Sequence, residues 1–195
     1  MGRTVVLFAL ATLCLAPAAG AASGCTDSVR FDSVSYAVGE PWCGRRLDSA
    51  AIARPSELVR LPDSLSFEDY RIYVSPATRR AFLAMAAAAR QDGIRLIADS
   101  GYRSVAYQRR LIARRLADGK SFAAITKFVA PPGYSQHHTG RAVDLIPSDP
   151  SFANSKTYAW LSEHAASFGF RESYPRDFAG GLHWESWHWM FVGDD

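Results

Sequence analysis

The strongest constraint on this chain is where its histidines fall. Of five, four lie in two short clusters. The first reads Ser135-Gln136-His137-His138-Thr139-Gly140-Arg141-Ala142-Val143-Asp144 and the second His183-Trp184-Glu185-Ser186-Trp187-His188-Trp189. Each cluster carries a carboxylate. A turn at Gly140 followed by a strand folds Asp144 back beside His137. Side chains alternate along a strand, so His188 points away from Trp187 and Trp189. One face of that strand then carries a histidine, and the tryptophans pack on the other.

Two imidazoles and a carboxylate suit a hydrolytic zinc site, which needs three protein ligands and an open position for water. The expected ligands are His137, Asp144 and His188. Glu185, three residues before His188, is placed to take a proton from a water made acidic by the metal. His138 points away from His137 in an extended backbone, His183 reads as supporting or surface, and His164 falls in a helix as a core or surface residue. One zinc ion is the expected cofactor, although His₂Asp sites also accept other divalent metals.

The chain has 195 residues, enough for one ordinary domain, and hydrophobic residues make up 48%. A net charge of +3, with no basic run interleaved with aromatics, argues against a nucleic-acid partner. Arg3, the apolar stretch from Thr4 to Pro17 and the small residues Ala18 to Ala22 form a signal-peptide pattern. Residues 1–22 are thus expected to be a removed signal peptide, 23–60 an N-terminal extension and 61–195 the catalytic-type domain. No second apolar segment suits a membrane span. The mature protein is expected in the periplasm or cell envelope, as a monomer. Cys25 and Cys43 remain as an even pair in an oxidising compartment, so a disulfide is the default reading. The rival is lipid anchoring at Cys25, after a loose small-residue pattern.

Residues 23 to about 60 read as irregular. Ser75-Pro76 caps a helix running to Asp92 and stopped by Gly93. A short strand is expected over Ile94–Ala98, and a second helix over Val105–Asp118. Its Arg109, Arg110, Arg114 and Arg115 read as a solvated face. Further helices are expected over Phe122–Phe128 and from Ser155 to Phe168, with strands over Arg141–Ile146 and Trp187–Val192. Interspersed helices and short strands give an α+β class, a single small domain with a central antiparallel sheet flanked by helices and the metal in a cleft on the sheet.

The first cluster fills the SxHxxGxAxD pattern of the zinc D-alanyl-D-alanine carboxypeptidases of the vancomycin-resistance type, through Ser135, His137, Gly140, Ala142 and Asp144. The second resembles that family's ExWH(W/F) end, and Ser100-Gly101-Tyr102-Arg103-Ser104 with Gln108 resembles its SGYRSxxxQ segment. The resemblance spans about Leu61 to Gly193. Ser186 and Met190 depart from the family's usual proline and basic residue. The family is related to the lysostaphin-type peptidases and the hedgehog domain. It implies ligands His137, Asp144 and His188, the base Glu185, a substrate-contacting Arg103, and Gln108 and Ser135 as supporting or substrate-binding residues.

The expected function is a D,D-carboxypeptidase removing the terminal D-alanine from peptidoglycan stem peptides. The alternatives are an L,D-carboxypeptidase or peptidoglycan endopeptidase of the same fold, or, in a different class, a non-catalytic zinc-containing cell-wall binding module.

Overall fold

Helix boundaries follow the local chemistry of the sequence. A computed structural model describes residues 25–174, 176 and 183–194; the expected signal peptide lies outside them. Two hairpin strands, β1 (Ser28–Phe31) and β2 (Val34–Ala37), come first, followed by the short pair β3 (Val59–Arg60) and β4 (Tyr73–Val74). Helix α1 (Pro76–Gln91) starts where the Ser75 hydroxyl accepts from the Thr78 N–H at 3.2 Å and Pro76 has no N–H to satisfy. It buries Ala77, Phe82, Met85, Ala86 and Ala89 along one stripe. Burial of Phe82 and Met85 contributes about 1.5–3 kcal/mol each.

Strand β5 covers Ala98–Ser100, later than the Ile94–Ala98 segment expected from alternation. The reason is local. The Ile94 N–H closes the end of α1 on the Ala89 carbonyl at 2.8 Å, and Leu96 is spent on the core before the ladder begins. Helix α2 (Val105–Ala117), capped by Ser104, buries only Gln108 and Ile112. Arg109, Arg110 and Arg114 are exposed on its outer side, while Arg115 is half-buried against the cleft described below. Helix α3 (Phe122–Thr126) stops short of the expected Phe128. Strand β6 (Ala142–Leu145), helix α4 (Lys156–His164), continued by a tighter turn to Phe168, and strands β7 (Phe170–Glu172) and β8 (His188–Phe191) complete the chain.

The central sheet is antiparallel, in the order β5-β6-β8-β7. Asp144 lies opposite His188 and Val143 opposite Trp189. The pleat therefore sends Val143 and Trp189 to the main core, with Leu145, Phe82 and Phe170, and Asp144 and His188 to the other face. The expected α+β fold is present.

The segment before Leu61, expected to be irregular, is ordered around its own apolar residues. Val29, Phe31, Val38 and Trp42 form a second core with Ile112, Phe122, Ile125, Tyr134 and Tyr174. Cys25 and Cys43 are joined in a disulfide, with Cα atoms 5.7 Å apart. Among the described residues no helix is long and apolar enough to cross a membrane.

Candidate metal centre

The site is built where a one-turn helix meets the sheet. Gln136–Thr139 form that turn, and Gly140 ends it at φ +66, a left-handed conformation. A Cβ on Gly140 would lie 2.8 Å from a Leu58 methyl and 3.1 Å from the Ser75 nitrogen. Only glycine lets the chain reverse here into β6, which carries Asp144 back to His137.

His137, Asp144 and His188 are all buried, and their ligand atoms lie within 4.8 Å of one another. His137 Nε2 is 3.1 Å from Asp144 Oδ2, and His188 Nδ1 is 2.8 Å from Asp144 Oδ1. The outer nitrogens are held by other groups. His137 Nδ1 lies 2.6 Å from the Gly101 carbonyl, which can only accept, and His188 Nε2 lies 2.9 Å from Gln136 Oε1. With the protons on those outer nitrogens, two lone pairs turn toward the Asp144 carboxylate. Three acceptors then converge with no proton among them, which is what a divalent cation needs. The donor set fits a metal with three protein ligands.

Electrostatics point the same way. Burial, reinforced by the Arg103 charge, lowers His137 to about 4, so it is neutral at ordinary pH as a ligand must be. Burial pushes the Asp144 carboxyl up, but its neighbours in the metal-free site, the Arg103 guanidinium among them, outweigh it and hold it well below the ordinary carboxylate range.

The three residues open onto a cleft of about 250 Å³, lined also by Arg103, Gln108, Ser135, Glu185 and Tyr174. Burial raises the Glu185 carboxyl, with the Asp144 charge adding to it against the pull of His188 and Arg103. Arg103 pairs with Asp144 Oδ2 and donates from Nε to Ser100 Oγ at 2.9 Å. Gln108 is buried, and its Nε2 donates to the Ala130 carbonyl at 2.9 Å. Its Oε1 has no partner among the described residues. Every residue expected at the site thus lines one cleft.

The other histidines separate cleanly. His138 is fully buried and ties Arg103 O to the Gly133 N–H, a structural bridge. His183 is exposed at the cleft and stacks on Phe128 with centroids 4.3 Å apart. His164 lies against Trp160 on α4. Sequence reasoning missed Gln136, Tyr174 and Trp42. Tyr174 stacks on His188 at 5.2 Å, and Trp42 meets Tyr174 edge-on at 6.4 Å. Gln136 sat in plain view between Ser135 and His137; nothing in the sequence pointed to the two aromatic residues.

A small antiparallel α+β domain with a buried His-Asp-His group and a carboxylate in the same cleft defines the class of mononuclear metal-centre hydrolases. Within that class the chain belongs to the VanY family of D-alanyl-D-alanine carboxypeptidases, which matches residues 71–194. It is 34% identical over 116 residues to a D-alanyl-D-alanine carboxypeptidase of Enterococcus faecalis, covering 54% of this chain and 43% of that protein. It is 31% identical over 151 residues to the bifunctional D-Ala-D-Ala dipeptidase and carboxypeptidase VanXYC of Enterococcus gallinarum, covering 71% and 75%. Among solved structures, the LD-carboxypeptidase LdcB is similar with a TM-score of 0.66 and 30% identity over 73% of this chain and 71% of its own. A D,D-pentapeptidase VanY in complex with Zn(II) gives 0.53 and 30% over 69% and 83%. The chain spans about half the length of the first curated relatives, 43% and 54% of them.

Proposed function

We propose that the chain is a zinc-dependent D,D-carboxypeptidase that removes the terminal D-alanine from peptidoglycan stem peptides. The observation that carries this is the convergence of His137, Asp144 and His188 within 4.8 Å in a cleft that also holds Glu185, in a member of this family. The similarity to a VanY that binds Zn(II), and to VanYB in complex with D-Ala-D-Ala, supports the metal and the substrate class.

A zinc ion held by the three ligands would acidify a water to a pKa of about 7 and polarise the scissile carbonyl. Glu185 accepts the proton of the attacking water on its carboxylate and delivers it to the nitrogen of the departing D-alanine. A carboxyl raised by burial is suited to both transfers. Arg103, steadied through Nε by Ser100, offers a fork of donors to the substrate carbonyl or terminal carboxylate. Gln108 and Ser135 line the substrate side of the cleft. The chain works as an exported monomer in the cell envelope, its first 22 residues serving as the signal.

A second reading is an L,D-carboxypeptidase, favoured by the similarity to LdcB at a TM-score of 0.66. The two differ in which stem peptide is shortened. Mass spectrometry of products from stem pentapeptide and tetrapeptide, with and without chelator, separates them. Loss of one alanine from the pentapeptide, stopped by chelator and restored by zinc, is expected. Cleavage of the tetrapeptide alone would overturn the D,D assignment. Glu185→Gln should bind zinc and lose turnover by at least about 100-fold, the general-base contribution; a fully active variant would remove Glu185 from the mechanism.

A further inference from the structure

We infer that Gln136 is the positioning residue that orients the His188 ring from its outer nitrogen and so tunes metal affinity. This rests on the metal reading given above. The two His188 ring nitrogens face two acceptors, Asp144 Oδ1 at 2.8 Å and Gln136 Oε1 at 2.9 Å. One ring proton can serve only one of them. On Nδ1 it would satisfy Asp144 and block the nitrogen that faces the other ligands. On Nε2 it satisfies Gln136 and frees Nδ1 to bind a cation beside the carboxylate. Gln136 therefore supports the ligating form and holds the ring in it.

It does so from next to His137, on the same one-turn helix, where Thr139 Oγ1 closes on the Gln136 carbonyl at 2.7 Å. One turn thus supplies the first ligand and orients a ligand 52 positions further along the chain. The Gly101 carbonyl does the same for His137 with backbone. At His188 the task falls to a side chain, so it can be tested by substitution.

The experiment is zinc affinity by chelator competition on the full mature chain, with ¹⁵N NMR of the His188 ring. Wild type should show His188 protonated at Nε2. Gln136→Leu should bind zinc about 10–100-fold more weakly, the usual range for losing an outer partner of a ligand. Gln136→Glu, which can only accept a hydrogen bond, should bind at least as tightly as wild type. Unchanged affinity in Gln136→Leu, a Gln136→Glu variant as weak as Gln136→Leu, or a wild-type proton on Nδ1 would each overturn the inference while leaving the metal reading intact. A wild-type chain that binds no zinc would overturn the metal reading and this inference with it. The tautomer measurement on wild type stands even if Gln136→Leu does not fold.

Discussion

Gly101→Ala is the smallest change expected to damage the site from a distance. Gly101 sits just past the end of β5, where its backbone runs against β4. A Cβ there would lie 2.5 Å from the Tyr73 carbonyl oxygen and 2.8 Å from an Ile72 methyl. The Tyr73 oxygen is backbone and already accepts from the Tyr102 N–H at 2.7 Å, so it has little room to give. Relief requires a shift of residue 101 itself, at a cost of about 1–3 kcal/mol for an overpacked interior position. The same residue's carbonyl holds His137 Nδ1 at 2.6 Å. Moving it turns the imidazole, and loss of an outer partner of a ligand weakens metal binding about 10–100-fold, or about 1.4–2.8 kcal/mol. Two assays separate the effects. Urea unfolding of the metal-free protein reads the packing cost, and chelator competition reads the metal cost. Both should fall in Gly101→Ala. A variant that unfolds like wild type and holds zinc equally well would refute both the close approach and the role of the carbonyl.

The metal-free protein should show His137 titrating at about 4 by NMR of its ring, because burial and the Arg103 charge disfavour the imidazolium; a titration near the ordinary value of about 6.5 would contradict the buried geometry. Cys43→Ser opens a loop whose ends are 18 residues apart, and should lower unfolding free energy by about 3 kcal/mol, with equal stability of the two proteins under reducing conditions. A variant as stable as the oxidised parent would show that the staple adds nothing.

Much of this molecule is legible in its sequence because the signals are short-range. Ser75-Pro76 and Gly93 bracket α1, Ser104 opens α2, and Gly169 ends the turn after α4, each within a residue or two of expectation. The convergence of His137, Asp144 and His188 was legible for a related reason. Gly140 and the alternation along β8 are local facts, and they limit which side chains can face one another. Two kinds of feature were not legible. The first is pairing: nothing in Ile94–Ala98 says that the ladder waits until Ala98, since that depends on where Leu145 and Asp144 arrive from 47 and 44 residues beyond their partners Ala98 and Ser100. The second is the N-terminal lobe. Val29, Phe31, Val38 and Trp42 are too scattered to make a pattern, and they become a core only when α2 and α3 supply Ile112, Phe122 and Ile125 from outside. Tyr174 belongs to both cases, an isolated aromatic made important by stacking on His188.

That lobe bears on the shape of the pocket. The family match begins at residue 71, yet Trp42 lines the cleft and touches Tyr174, which lies over His188. Trp42 is anchored through Nε1 to the Thr126 carbonyl at 2.7 Å and sits next to the disulfide at Cys43. One wall of the pocket therefore comes from outside the segment that the family match covers, which holds His137, Asp144, Glu185 and His188. Substitutions in the lobe can reshape what the pocket admits without disturbing the chemistry behind it.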